Sequence, residues 1–101
     1  MTLQSAEDDS HSDAIQFRRR LGVVIRNLRT ERRLTQQALA DASTLTRVFI
    51  GQLEKGSTNV AIDTLFLVCR TLGITFSELV IKAQAGTNAE PNSSRRRKRS
   101  S

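Results

Sequence analysis

The chain has no tryptophan or tyrosine, one cysteine, one proline and only five glycines among its 101 residues. A single cysteine can form neither an intramolecular disulfide nor a cysteine-based zinc site, and it fits a reducing compartment. So few prolines and glycines argue against a fold of many strands and turns and favour helices. The longest uncharged apolar run, from Thr64 to Cys69, is far shorter than the roughly 20 residues that cross a bilayer, so we expect neither a membrane span nor a signal peptide.

Residue patterns that support catalysis are also missing. The sequence offers no paired carboxylates, no nucleophile with a nearby base, no cluster of metal ligands and no glycine-rich phosphate loop. The only histidine, His11, lies in a polar segment and is expected to be solvated. Cys69 is expected to be a buried, inert thiol. We therefore predict no catalytic residue, no cofactor, no metal site and no small-molecule ligand, so the chain is not expected to be an enzyme.

Positive charge is what the chain has in excess, with a net charge of +6 and a pI near 11.0. Residues 1–17 carry four acidic side chains and no basic one, whereas residues 18–82 carry eleven basic and five acidic side chains. The central region is therefore cationic by itself, which favours a polyanionic partner such as nucleic acid.

Three segments are predicted along the chain. Residues 1–12 are polar and acidic without periodicity, and we expect a disordered acidic arm. Residues 13–84 have the size of one domain with a modest core. Residues 85–101 have the composition of a flexible basic tail. Its run Arg95 to Arg99 is open to three interpretations, a nuclear localisation signal, an inert solubilising end or a mobile attractor of phosphates, and we favour the last.

Hydrophobic spacing predicts five helices and no strand. The first begins near Asp13, the second runs from an N-cap at Thr35 to about Ala42, and the third lies between an N-cap at Thr46 and Gly56. The fourth ends at Gly73, and a capping box, Thr75 to Glu78, opens a fifth through about Ala83. The expected inward residues are Phe17, Leu21, Val24, Ile25, Leu28, Ala38, Leu39, Phe49, Ile50, Leu53, Ile62, Leu65, Val68, Cys69 and Leu72.

One ordered set of residues carries a resemblance over about residues 20–82, or two thirds of the chain. It consists of Ile25, Leu28, Arg29, Leu34-Thr35-Gln36, Leu39-Ala40, Phe49-Ile50, Leu53-Glu54-Lys55-Gly56, Thr64-Leu65 and Leu72-Gly73-Ile74. At these spacings the chain resembles the phage-repressor-like helix-turn-helix family, the Cro/C1 or xenobiotic-response-element type of transcriptional regulators. The resemblance implies an all-α, five-helix lambda-repressor-like domain whose third helix enters the major groove of DNA.

The resemblance assigns Arg47, Val48 and Gln52 to the base-contacting positions. Arginine can bond O6 and N7 of guanine in a bidentate way, and valine can contact a thymine methyl group. It also assigns contacts with the DNA backbone, and these fall at Gln36, Thr46, Lys55, Ser57 and Thr58. Backbone contacts fix register without reading sequence. Gln36 and Thr46 could instead cap helices, a role that is compatible with phosphate binding.

Two further residues are implied to be structural rather than to touch DNA. Arg29 and Glu54 correspond to the family's partly buried ion pair, which orients the third helix. The chain also departs from the family, because Thr44 stands where the turn usually has glycine and Val60 where proline is common. A β-branched residue disfavours positive φ, so we expect the turn geometry to differ slightly.

More apolar side chains fall on the last two helices than a small bundle can bury. Leu79 is one of these apolar side chains. We predict a two-fold dimer interface that consists of Phe66, Leu67, Phe76, Val80 and Ile81. The alternative is scattered exposed hydrophobic residues, which are ordinary. A dimer would bind a pseudo-palindromic operator in double-stranded DNA.

The function predicted from the sequence is a sequence-specific DNA-binding transcriptional regulator in the cytoplasm of a bacterium or a phage-infected cell, associated with the nucleoid. Two alternatives stay open at this point: an antitoxin that also represses its own operon, and a protein-interaction module on the same scaffold. RNA polymerase and a toxin are the further partners that these readings allow.

Overall fold

Five α-helices and no strand make up the computed structural model over residues 2–89, the part of the chain that it describes; side chains are placed for residues 12–85. The helices are α1 (Thr2–Glu31), α2 (Gln36–Ser43), α3 (Arg47–Lys55), α4 (Ile62–Leu72) and α5 (Phe76–Ala89). The predicted all-α, five-helix architecture is confirmed.

The first helix begins at Thr2, eleven residues before the position expected from the hydrophobic pattern. The structure thus has helix from Thr2 onward, where the sequence predicted a disordered acidic arm at residues 1–12. Apolar periodicity detects helices that are packed, and the sequence of this segment has no such periodicity. It contains neither glycine nor proline, so an established helix can continue through it one hydrogen bond at a time.

The last helix is also longer than expected, since α5 continues through Gly86 to Ala89. The structure thus has helix at residues 85–89, where the sequence predicted the start of a flexible basic tail. The rest of that segment, with the basic run Arg95 to Arg99, lies outside the described residues.

The core forms where α1 packs against α5 and α3, while α2 packs against α3 and α4. Most of the residues predicted to face inward are buried, while Phe17, Ala38 and Phe49 are half-buried and Ile62 is exposed. Ile62 was expected to be buried and is 55% exposed. It lies in the first turn of α4, at the end of the apolar side of that helix. The buried set is Leu21, Val24, Ile25, Leu28, Leu39, Ala40, Ile50, Leu53, Leu65, Val68, Cys69, Leu72, Leu79 and Ala83.

The predicted caps are formed by the residues that the sequence indicated. The hydroxyls of Thr35 and Thr46 accept hydrogen bonds from the amides three residues later, each at 3.0 Å. Thr75 and Glu78 form a reciprocal capping box, with bonds of 2.9 and 3.0 Å. These bonds satisfy helix-terminal amides that would otherwise lack partners, and they fix where α2, α3 and α5 begin.

The turn between α2 and α3 has an unusual residue at its centre. Thr44 adopts the left-handed conformation, with φ 57° and ψ 41°, and its amide donates to carbonyls of the last turn of α2. Leu45 then donates to the carbonyl of Ala40 at 2.8 Å, which completes a Schellman-type helix end. Thr44 therefore adopts the positive φ that a β-branched residue disfavours.

Gly22 sets how closely α1 approaches α3. A Cβ at this position would lie 2.3 Å from the carbonyl oxygen of Glu54 and 2.6 Å from that of Leu53. Both neighbours are backbone atoms, so a rotamer change cannot make room. The missing side chain of Gly22 therefore lets the two helices touch.

Candidate nucleic-acid interface

The third helix is amphipathic, and its two sides have different neighbours. Ile50 and Leu53 are buried at 0% and 2% exposure, and they fasten α3 to the core. Arg47, Val48 and Gln52, the predicted base-facing residues, all lie on the exposed side. Val48 is 66% exposed, a high value for an apolar side chain in a well-packed helix. The three side chains thus share one open surface, and none of them is part of the core.

Arg29 and Glu54 form a bidentate ion pair between α1 and the end of α3. Arg29 Nε donates to Glu54 Oε2 at 2.6 Å, and its Nη2 donates to Oε1 at 3.1 Å. The two side chains are only 10% and 4% exposed. A third donor of Arg29, Nη1, bonds the carbonyl oxygen of Leu34 at 2.7 Å. The pair therefore joins α1, the start of the turn before α2, and α3.

Gln36 extends this ion pair toward the exposed side of α3. Its Nε2 donates to Glu54 Oε1 at 3.1 Å, and its Oε1 accepts from Arg47 Nη1 at 3.3 Å. Arg29, Glu54, Gln36 and Arg47 thus form one continuous polar network from α1 to the exposed surface. We call these four residues the polar network. The resemblance placed Gln36 and Arg47 on the same surface but did not indicate the bond between them.

The remaining predicted backbone-contacting residues surround the two ends of α3. Thr46 caps the N-terminus of α3, and Lys55 is exposed in its last turn. Ser57 is exposed, and its hydroxyl donates to the carbonyl of Gln52 at 3.2 Å. The half-buried Thr58 donates its hydroxyl to the carbonyl of Asn59 at 3.1 Å. Each of these side chains lies at an accessible edge of the same surface.

Arg19 is a cationic residue of this region that the sequence did not assign to it. A Cβ on Gly56 would lie 2.7 Å from the Cα of Arg19, so Arg19 sits directly beside the C-terminal end of α3. Its side chain is exposed. A helical period does not reveal which neighbouring helix the Arg19 side of α1 meets.

An apolar surface lies on another part of the domain, between α4 and α5. Phe66 is 49% exposed and stacks on Phe76, with ring centroids 4.8 Å apart. Ile81 is 62% exposed, and Ile62 lies one turn from Phe66 on α4. Leu79, in contrast, is fully buried and belongs to the core. We call the exposed and half-buried set the apolar patch: Ile62, Phe66, Leu67, Phe76, Val80 and Ile81.

A groove of about 260 Å³ adjoins the apolar patch. It shares Ile62, Phe76 and Val80 with the patch, and its far wall comes from α1. The α1 side of the groove is formed by Ala14, Phe17, Arg18 and Leu21. The apolar surface is therefore continuous from α4 and α5 to the first helix.

Neither a metal site nor a reactive thiol is found among the residues with placed side chains. No group of three or more His, Cys, Asp or Glu residues is arranged there to hold a metal ion. Burial raises the pKa of the Cys69 thiol, so the thiol stays protonated and poorly nucleophilic.

Within residues 2–89, no single helix combines the length and hydropathy needed to cross a membrane. The bent pair α4 and α5, at 95° to each other, meets that measure of length and composition only when the two are taken together.

The model of the family described as helix-turn-helix matches residues 25–79, which include the ion pair, α2, α3, α4 and the start of α5. A search of curated proteins finds no match.

Several solved structures share this arrangement of helices. The clp gene regulator ClgR from Corynebacterium glutamicum is 28% identical, with a TM-score of 0.69 over 73% of this chain and 79% of that one. The restriction-modification controller protein C.AhdI from Aeromonas hydrophila is 34% identical, with a TM-score of 0.58 over 67% of this chain and 97% of that one. The wild-type controller protein C.Esp1396I is 31% identical, with a TM-score of 0.61 over 67% of this chain and 92% of that one.

Proposed function

Because the chain belongs to the helix-turn-helix family of Cro/C1-type DNA-binding transcriptional regulators, we propose that it recognises a pseudo-palindromic operator in double-stranded DNA as a homodimer. It is a non-enzymatic DNA-binding regulator. In the proposed complex, α3 lies in the major groove of each half-site.

One observation carries the proposal: Ile50 and Leu53 fix α3 to the core while Arg47, Val48 and Gln52 all remain outside it. A helix in the major groove needs this division, since one side must be rigidly held and the other must reach base edges. Arg47 would read guanine, Gln52 would bond adenine, and Val48 would contact a thymine methyl group.

Residues at both ends of α3 would contact phosphates. Gln36 and Thr46 lie at the N-termini of α2 and α3, where free amides and the helix dipole favour anions. Lys55, Ser57 and Thr58 lie at the other end, where Arg19 adds a charge. These contacts would supply salt-dependent affinity without reading sequence.

The apolar patch is the surface proposed for self-association. Phe66 and Ile81 are exposed on adjoining helices, and Phe66 stacks on Phe76. A two-fold contact at this patch would leave α3 uncovered on both protomers. Two copies of α3 would then face half-sites about one helical turn of DNA apart.

Selection of bound sites from a pool of random DNA duplexes tests the proposal. The expected product is an inverted repeat whose half-site spacing reports the dimer geometry. Enrichment of no sequence above the starting pool would overturn the proposal.

Two variants then test which residues of α3 read bases and which contact phosphates. Arg47→Ala is expected to relax preference at one base pair of each half-site. Lys55→Ala is expected to weaken binding to all sequences alike and to lower the salt slope by about one unit per DNA-binding subunit. Equal, sequence-independent losses for both variants would show that the base-facing surface is misassigned.

We place the protein on bacterial or phage DNA in the cytoplasm. If it were instead an antitoxin, a toxin would co-purify with it, and substitutions in the apolar patch rather than in α3 would abolish that complex. A repressor or an activator would also involve RNA polymerase. Transcription in vitro from a promoter that contains the selected operator would show whether the protein lowers or raises the activity of the polymerase.

A further inference from the structure

We propose that the groove beside the apolar patch binds a small apolar molecule that carries one carboxylate. The proposal does not rest on DNA binding, because every residue that it uses lies outside α3. The sequence predicted no small-molecule ligand and could not indicate this groove, since its walls come from α1, the loop after α3, α4 and α5.

The size and the lining of the groove suit a small ligand. Its volume of about 260 Å³ lies just below the roughly 300–1,000 Å³ of typical ligand pockets. Leu21 and Leu65, which are only 2% and 6% exposed, line it together with the half-buried Phe17 and Val60. Because core residues belong to its lining, the groove is a recess that reaches the core. A ligand that fills it must be largely apolar.

Arg18 gives the groove a charge. It is half-buried, and it is the only charged residue among those that line the groove. The ion pairs within residues 12–85 are Arg29–Glu54 and Arg32–Glu31, so Arg18 has no carboxylate partner there. A guanidinium can bind a carboxylate through two parallel hydrogen bonds, and a partly buried pair is screened less than an exposed one. The groove therefore complements an anionic head group as well as an apolar chain.

Two other occupants fit the groove less well. Residues 90–101 carry five basic side chains and no apolar one except Pro91, so they would meet Arg18 with like charge. A second copy that pairs at Phe66 and Ile81 would contact side chains that do not line the groove. The apolar patch also has no carboxylate to offer Arg18. An apolar carboxylate matches both the lining and the charge.

The experiment titrates the full chain, without DNA, with octanoate and with 1-octanol below the concentrations at which they aggregate. The two ligands have the same chain length, and only octanoate is charged. Heteronuclear NMR should show saturable shifts of the amides of Phe17, Val60 and Val80, which line the groove. Octanoate should bind about three- to tenfold more tightly than octanol, as expected for one charge-assisted contact at a half-buried site.

Arg18→Gln should remove that preference and leave the affinity for octanol unchanged, because only the head group loses its partner. Arg26→Gln is the matched control. Arg26 is an exposed arginine further along α1 that does not line the groove. Its loss should change the affinity for octanoate by less than about twofold, since salt screens distant exposed charges.

A second pair of variants tests the apolar part of the site. Ala14 is exposed at the edge of the groove, so Ala14→Phe fills the groove without disturbing the core. It should weaken both ligands by about tenfold or more, because their apolar chains lose the surface that they bury. Ala42→Phe makes the same change on the exposed side of α2 and should leave both affinities as they are. Circular dichroism checks the fold of each variant.

Equal affinities for octanoate and octanol, or equal losses in Arg18→Gln and Arg26→Gln, would overturn the proposal, because the groove would then recognise no anion. Absence of saturable shifts at the groove would overturn it as well. If the same amides shift instead when the protein alone is concentrated, the groove belongs to a second copy of the chain. None of these outcomes bears on the proposed function, since no DNA is present.

Discussion

The polar network and the apolar patch differ in almost every physical respect. The network connects α1, α2 and α3 of one chain through directional bonds, and its inner members, Arg29 and Glu54, are buried. The patch is exposed, and its stacked rings belong to α4 and α5. Damage to the network should therefore act on the fold and on α3, whereas damage to the patch should act on association. We therefore expect that stability, base reading and self-association can be altered separately by substitution.

The largest effect is expected from breaking the network at its centre. Glu54→Ala leaves the Arg29 guanidinium buried without its carboxylate and should lower the free energy of unfolding by about 3–5 kcal/mol. Denaturant unfolding measures this. Glu31→Ala is the control, because Glu31 is 69% exposed and 3.7 Å from Arg32, a surface pair expected to contribute about 0–1 kcal/mol. Equal losses for both variants would mean that the Arg29–Glu54 pair is not the link between α1 and α3.

The second test is directed at self-association and places a charge in the apolar patch. Phe66→Glu should weaken self-association at least tenfold, since burying a phenylalanine is worth roughly 1.5–3 kcal/mol, while the fold and α3 stay intact. Analytical ultracentrifugation measures the dissociation constant, and circular dichroism checks the fold. Val48→Glu is the control for an added charge on an exposed apolar residue outside the patch. Unchanged association of the Phe66 variant would place the dimer contact elsewhere.

A third variant changes the distance between the backbones of α1 and α3 rather than the bonds between side chains. Gly22→Ala should destabilise the protein by about 1–3 kcal/mol through overpacking, although alanine favours helices. Gly51→Ala carries the same change where the new methyl group meets nothing closer than 3.9 Å, and it should stabilise α3 by up to about 1 kcal/mol. Thermal unfolding of the pair should give shifts of opposite sign. A stabilising Gly22→Ala would contradict the close approach of α1 and α3.

The smallest effect is expected at the turn before α3. Thr44→Gly should raise the free energy of unfolding by roughly 0.5–1 kcal/mol, since glycine removes the left-handed penalty but adds freedom to the unfolded chain. Gly73→Thr is the reciprocal change: φ there is 75°, and a Cβ would meet no atom within 4 Å. It should destabilise by a similar amount, as measured by the same denaturant titrations. Shifts of the same sign for both would show that backbone strain is not the cause.

Local features of the fold were predictable from the sequence. The caps at Thr35, Thr46 and Thr75 and the ends at Gly56 and Gly73 follow from short-range hydrogen bonding and φ preferences, which a few neighbouring residues determine. The buried stripes of the helices follow from periodicity in the same way.

Contacts between helices were less predictable, because a helical period says which side is buried and not what covers it. The helical period of α1 did not indicate that Gly22 contacts the carbonyls of Leu53 and Glu54. For the same reason, the helix that Arg19 adjoins could not be assigned from the sequence. Ile62 has an apolar position in the period of α4 but is exposed at the first residue of that helix. The helical extension of α1 to Thr2 was missed because the sequence of residues 2–11 has no apolar periodicity.

The contact at Gly22 also makes the position of α3 independent of the side chains that would read DNA. Main-chain atoms on both sides fix the distance between α1 and α3, so that distance does not depend on which side chains occupy the outward positions of α3. Exchanging Val48 or Gln52 for other residues therefore leaves the docking of the helix undisturbed. A protein built in this way can be retargeted to new DNA sites by a few outward substitutions while its frame stays constant.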